Sequence, residues 1–260
     1  MFRFLVVTLF CCHFICGEEM SAQKNVVFMT PVIEGKTDKL KQTIYDADQE
    51  ANFFSEIGIS KYRRWIQKIH DDFFLIHHVE GTNPVKSLEI LSQKIIENDP
   101  IAIYLHSLYK EALGIDLLQE NLIPQMVELT EVVCVDVEHD SGTLIKEYCF
   151  VYPLIPSKKE KLFQIYQDKA VYLSEQMQEL RRFRGVSKQQ MWIQESAEKP
   201  YIVVFQEITG SVNDARNKYL SAQNEELSSH IAREHSDITG LSFEELLPIL
   251  ESLDDNEVLM

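Results

Sequence analysis

The residues with most chemical content sit in two matching segments, Lys61-Tyr62-Arg63-Arg64-Trp65-Ile66-Gln67 and Lys188-Gln189-Gln190-Met191-Trp192-Ile193-Gln194. In an extended strand, successive side chains point to opposite faces. One face therefore carries Lys61, Arg63, Trp65 and Gln67, matched by Lys188, Gln190, Trp192 and Gln194. Isoleucine stands on the other face in both segments and marks the side that packs on helices. The tryptophan face then looks toward a second sheet. Two tryptophans, two glutamines and cationic groups there suit a small anionic or aromatic ligand. The plainer alternative is that Trp and Gln fill the junction between sheets and satisfy each other.

His77 and His78 end the next apolar run, at positions that correspond to Gln206 and Glu207. One member of each pair shares a face. A histidine beside a glutamate from the other half has the chemistry to hold a metal, a haem or a proton. The chain has no His-x-His and no His-Glu-x-x-His, so no metal site is expected and a hydrogen-bonded strand-end histidine is the simpler reading. His106, His230 and His235 fall on helical patterns. His230 and His235 match Tyr104 and Tyr109, which reads as amphipathic packing. There is no glycine-rich phosphate loop, Gly-x-Ser-x-Gly elbow or Cys-x-x-Cys, so no catalytic residue and no cofactor is assigned. Arg181, Arg182, Arg184 and Lys188 form a basic patch that suits either an anion or acidic partner, or simply a helix C-terminus.

The elements that position these residues come in duplicate. Val27-Phe28-Met29-Thr30-Pro31-Val32-Ile33 recurs as Cys149-Phe150-Val151-Tyr152-Pro153-Leu154-Ile155, and Gly58-Ile59-Ser60-Lys61 as Gly185-Val186-Ser187-Lys188. Gly114-Ile115-Asp116-Leu117 recurs as Gly240-Leu241-Ser242-Phe243, and Pro124 as Pro248, all in the same order. A tandem duplication follows, with a first α+β repeat over 23–139 and a second over 143–260.

Each repeat reads as a strand, then a long amphipathic helix that ends at Gly58 or Gly185. The helix stripe is Leu40, Ile44, Ala47, Ala51 and Phe54, then Leu162, Ile165, Leu173, Met177 and Leu180. Thr37 signals the first start, and Ser157 with Glu160 forms a capping box for the second, which is expected to run about five residues longer. Two strands follow, Lys61–Gln67 with Phe73–Val79 and Lys188–Gln194 with Tyr201–Ile208. Further helices start at Asn83-Pro84 and Asp99-Pro100 in one repeat, and after Ser211 and Asn224 in the other. Short final helices begin at Asp116 and Ser242. An edge strand is expected over Glu131–Val137, its counterpart Glu257-Val258-Leu259 being incomplete.

The chain has 260 residues, 45% of them hydrophobic, and a net charge of -16. That field repels nucleic acid and anionic membrane surfaces. Arg3, the apolar run Phe4–Cys16 and Gly17 have the order of a secretory signal peptide, too short for an integral membrane span. Residues 1–19 are thus either a leader, which makes the protein exported (periplasmic or extracellular), or an upstream extension of a cytoplasmic chain that starts at Met20. Of the five cysteines, Cys134 and Cys149 flank His139-Asp140-Ser141-Gly142. They would face each other across a hairpin, either as a disulfide or, more simply, as two buried small apolar residues.

The β-α-β-β-α plan in two copies resembles the dimeric α+β-barrel (ferredoxin-like) superfamily, fused into one chain. Gly58-Ile59-Ser60, Trp65-Ile66-Gln67, Asp99-Pro100 and Gly114-Ile115-Asp116-Leu117 resemble a bacterial domain family of unknown function. The resemblance implies an α+β fold: a ferredoxin-like unit with extra helices, forming a pseudo-dimeric barrel. It implies no catalytic residues. The wider superfamily includes cofactor-free monooxygenases, haem-handling enzymes and binding modules, and fold alone does not choose among them. With no convincing base or ligand set, the expectation is a non-enzymatic binding or interaction protein with a pocket between two antiparallel sheets. The alternative is a cofactor-free or haem-dependent oxidoreductase. Fusion of the copies predicts a monomer with pseudo-twofold symmetry and with Trp65 and Trp192 buried between its halves.

Overall fold

The computed structural model describes residues 25–41, 47–119, 124–137, 145–168, 173–196, 198–210, 212–221, 226–242, 245–246, 250–252 and 258–259. The leader lies outside them. The first half runs β1 (Asn25–Pro31), α1 (Thr37–Leu40), α2 (Ala47–Glu56), β2 (Ile59–Ile69), β3 (Asp72–Gly81), α3 (Pro84–Ile96), α4 (Pro100–Leu113) and β4 (Met126–Cys134). The second runs β5 (Ile145–Pro153), a 3-10 turn (Pro156–Lys158), α5 (Lys159–Gln167), α6 (Glu175–Arg184), β6 (Val186–Gln194), β7 (Tyr201–Thr209), α7 (Val212–Ser221), α8 (Glu226–Thr239), β8 (Leu250–Ser252) and β9 (Val258–Leu259). This is an α+β fold with two antiparallel sheets, ordered β1-β3-β2-β8-β9 and β4-β6-β7-β5.

Local chemistry explains the element ends. Asn83 and Asp99 cap α3 and α4 through their side chains, and proline follows each cap. Gly58 and Gly185 turn the chain at positive φ of 86° and 76°. The turn at Gly58 is crowded: a Cβ on Gly81 would stand 2.4 Å from the Gly58 carbonyl oxygen, so both positions need glycine. At Ser242, where a short helix was expected to begin, Glu245 accepts from the Ser242 N–H and Ser242 Oγ from the Glu245 N–H. The caps expected at Ser211 and Asn224 fall outside the described residues.

Five expectations need correction. Among the described residues neither half has one long first helix: each has two helical segments, and α2 and α6 are equal at ten residues. The Ser157–Glu160 capping box does not form, because the chain enters α5 through the proline-led 3-10 turn; Ser174 caps α6 instead. Residues 116–119 make a turn rather than a short helix. The last strand of the first half begins earlier than expected, at Met126. It also joins the other half's sheet: β4 pairs with β6, while β8 returns to pair with β2. Each sheet is therefore completed by a strand from the other half. This exchange also separates the cysteines. β4 and β5 occupy opposite edges of one sheet, and Cys134 and Cys149 are free, the first exposed and the second buried.

Burial follows the two faces of each strand. Ile66, Leu75 and Val79 pack with α2–α4 in the first half. The opposite face sends Val27, Met29, Trp65, Phe74 and Ile76 into one core with Trp192, Val203 and Phe205 of the second sheet. Trp65 and Trp192 are 2% and 1% exposed.

Two glutamines join the sheets. Gln67 Nε2 donates to the Val151 carbonyl (2.9 Å), and Gln67 Oε1 accepts from the Val151 N–H (2.7 Å). Gln194 does the same to Met29, at 2.7 and 2.8 Å. Each amide acts as one rung of a β-ladder on the edge strand of the other half, which satisfies backbone groups that would otherwise be buried unpaired.

Candidate functional site

The expected inter-sheet face is assembled as the alternation predicts. β2 brings Lys61, Arg63, Trp65 and Gln67 to it, β3 brings His78, β6 brings Lys188, Gln190, Trp192 and Gln194, and β7 brings Glu207. His77 and Gln206 stand on the opposite, helix-covered faces of the same strands. Trp and Gln do not satisfy each other. The glutamines serve backbone, and buried Trp192 Nε1 has no hydrogen-bond partner. Gln190 turns to Glu128 on β4 (3.1 Å).

At one rim of this face the charges gather. Lys61 Nζ is 2.7 Å from Glu147 and 3.5 Å from Glu80. Arg63 Nε is 3.9 Å from Glu147, and Lys188 pairs with Glu207 at 2.9 Å. His78, fully buried beneath Trp65 and Phe205, has Glu80 on one side and Glu147 on the other. His78 and the Lys61 ammonium hold the Glu80 carboxyl down at about 2. Burial, reinforced by Glu147, pushes the Cys149 thiol well up, so it stays protonated. The glutamate of the other half that meets His78 is thus Glu147, not Glu207. Neither Glu80 nor Glu147 stood among the expected site residues. Strand alternation from His78 and Cys149 places both on the inner face, but only the tertiary fold brings them together.

The helix-covered face of β3 holds a second polar group. His77 Nδ1 meets the Tyr62 hydroxyl (2.7 Å), and its Nε2 meets Thr30 Oγ1 (3.1 Å). Tyr62 is bonded in turn to Tyr109 (2.5 Å), and Thr30 donates to the Leu75 carbonyl. Phe28 stacks on the imidazole at 4.6 Å. Burial, aided by Arg64, lowers the His77 pKa to about 3. A neutral ring fits the chain: Tyr109 donates to Tyr62, Tyr62 to Nδ1, and Nε2–H to Thr30. Beside it, buried Arg64 pairs with Glu50 at 3.0 Å.

A cavity of about 320 Å³ lies on the helix side of the second half, between α5, α6 and α8. Ile165, Met177 and Ile231 give it an apolar lining, while Tyr166 and His235 present a hydrogen-bonded hydroxyl–imidazole pair. Burial, with Arg184 nearby, lowers the His235 pKa to about 4, so its ring is neutral near pH 7. Lys161 on the rim is tied to Glu234 and Asp237. The apolar positions Ile165 and Met177 were legible as a helix stripe, and His235 as amphipathic packing. That they face a void was not, because a void is a property of the packed helices rather than of one stripe.

No family model matches the chain, and no curated protein matches it. Among solved structures, a proposed monooxygenase from Fusobacterium nucleatum subsp. nucleatum is similar at 10% identity and a TM-score of 0.42, over 91% of each chain. A second proposed monooxygenase, from Lactobacillus acidophilus, is similar at 9% identity and 0.37, over 88% of this chain and 93% of that one. At this distance the likeness carries no argument about reaction.

Proposed function

We propose that this chain is a small-molecule-binding protein whose ligand lodges in the helix-side cavity of the second half. The observation that carries the reading is that cavity: about 320 Å³, with an apolar lining and one neutral hydroxyl–imidazole pair. Ligand pockets begin at roughly 300 Å³ and combine apolar walls with few polar groups. Lys161, the cation on its rim, is already matched by two carboxylates. The ligand class is therefore neutral and aromatic rather than anionic, with one group that hydrogen-bonds Tyr166 or His235. Nucleic acid is no partner for so acidic a chain, and among the described residues no helix is long and apolar enough to cross a membrane. The exchanged strands and the paired glutamine rungs support a monomer whose halves stand in pseudo-twofold relation.

Indole, phenol and benzoate are suitable probes, followed by the Met177 methyl signal in NMR. Indole and phenol should shift it saturably, with Kd near about 1 mM or tighter, and benzoate should bind more weakly. Ile165→Trp should fill the space and abolish the shifts. A Met177 signal that none of the three probes moves overturns the reading.

A second reading, oxidoreductase chemistry in the same cavity, rests on the Tyr166–His235 pair. A neutral imidazole held by a phenol is a competent general base. Dioxygen uptake with an added hydroquinone, lost in His235→Gln, would establish it. A tetrapyrrole is larger than this cavity, so added haem should give no sharp Soret band. A stoichiometric band lost in His235→Ala would reverse that judgement.

A further inference from the structure

His78 is 0% exposed, yet neither ring nitrogen has a hydrogen-bond partner, and the buried Oε2 of Glu147 has none either. His78 Nε2 stands 3.3 Å from Glu80 Oε1, and Nδ1 stands 3.7 Å from Glu147 Oε2. One donor atom from each of the three residues lies within 4.8 Å of the others. Such gaps are long for hydrogen bonds. The gaps lie at different ring nitrogens, and an ion uses only one of them: two ligands each about 2.1 Å from a tetrahedral metal stand about 3.4 Å apart, so three donor atoms within 4.8 Å of one another close on one ion by small side-chain rotations. We propose that His78, Glu80 and Glu147 form a binding site for a divalent first-row transition cation of the Zn²⁺ class, set between the two sheets and built from both halves of the chain.

The donor set selects that class. An imidazole with two carboxylates suits zinc, cobalt or manganese, whereas calcium and magnesium favour oxygen alone. The ion takes one nitrogen of His78 together with an oxygen of each carboxylate, and the other nitrogen keeps its proton. The carboxylates are 28% and 15% exposed, so an ion enters from the rim.

Lys61 competes for the same oxygens. It holds Glu147 Oε1 and approaches Glu80 Oε2, and Arg63 adds a second positive charge. An entering ion displaces the Lys61 ammonium, which is a third exposed and free to turn toward water. The site is therefore weaker than its donors alone dictate, and Lys61 sets its affinity.

The test uses the full chain, stripped with a chelator and titrated with Zn²⁺ by calorimetry. Co²⁺ serves as a second probe, followed through the fluorescence of Trp65, whose ring lies 6.4 Å from that of His78. One saturable ion per chain is expected, with cobalt quenching the tryptophan signal. Glu147→Gln should weaken binding at least about tenfold, and Lys61→Met should tighten it. Both changes are at the rim, so they report even if His78→Ala fails to fold. If neither the native chain nor Lys61→Met binds saturably, or if binding ignores both rim substitutions, the proposal fails and the cluster is an imidazole held between two carboxylates. The cavity lies in another layer, so its fragment binding stands or falls separately.

Discussion

The helix-side layers of the two halves are built to the same plan and finished differently. Tyr109 and His235 occupy the same position in α4 and α8, helices of fourteen residues each. Against the first sheet, Tyr109 closes a chain through Tyr62 and His77 to Thr30, and Arg64 is locked on Glu50. By strand register the counterparts of His77 and His78 are Val204 and Phe205 rather than Gln206 and Glu207, so against the second sheet Gln189 and Val204 stand where Tyr62 and His77 stand in the first. Gln189 turns to the Met191 sulfur, and His235 is left to Tyr166 on the wall of a cavity. The difference teaches that one half of such a molecule holds a closed polar core while the other gives up close packing for space. Both can do so because the glutamine rungs and exchanged strands tie them together.

Parting the halves has the largest expected effect. The segment 23–139 expressed alone lacks β8, and its β4 has no β6 to pair with. It should be largely unfolded or dimerise, as read by light scattering and urea denaturation. A stable monomeric fragment with Trp65 buried would mean that each half finishes itself, and the comparison would lose its premise.

Acid separates the two layers next. The unfolded chain takes up protons on histidine below about pH 6.5. The folded chain refuses them until about pH 3 at His77 and about pH 4 at His235. Stability therefore falls as pH drops through that window, by up to ~1.4 kcal/mol per pH unit for each histidine. Urea midpoints between pH 7 and 4 should show the fall, and His77→Gln should flatten it more than His235→Gln. Equal slopes for native chain and variants would mean that neither ring is held neutral.

Those contrasts rest partly on what the sequence already displayed. Alternation along 61–67 and 188–194 was enough to send both tryptophans and glutamines to the inner face, because a period of two has only one solution once isoleucine is assigned to the helices. Gly58, Asn83 and Asp99 were legible for the same local reason. The meeting of His78 with Glu147 was not, since it depends on how two sheets register. Nor was the entry of β4 into the second sheet: an edge strand's own residues do not name its partner. At Ser157 the capping pattern was present, but the 3-10 turn from Pro156 took precedence.

Removing one hydroxyl sharpens the comparison further. Tyr62→Phe leaves His77 Nδ1 buried without its donor and should cost roughly 1–3 kcal/mol. Tyr166→Phe, beside a cavity that water can enter, should cost under about 1 kcal/mol. Thermal denaturation of both variants measures the gap. Equal losses would show the second layer to be as closed as the first.

The smallest effect is expected where bulk is added to the second layer. Leu105→Phe forces a ring into the filled first layer, where Leu105 is 0% exposed, and should cost about 1–3 kcal/mol. Ile165→Phe should be nearly neutral in the second, within about 0.5 kcal/mol. A large loss at Ile165 would argue against usable space there.

The exchange of strands also orders events during synthesis. Residues 25–81 leave the ribosome early, yet β2 gains its neighbour only when Leu250–Ser252 has been made. Until then the nascent chain carries an open strand edge along Trp65, Ile66 and Gln67. The second sheet, by contrast, has β4 in hand before β6 is translated. The half that begins first is thus finished last, and the interval is when a ribosome-bound chaperone has most to cover.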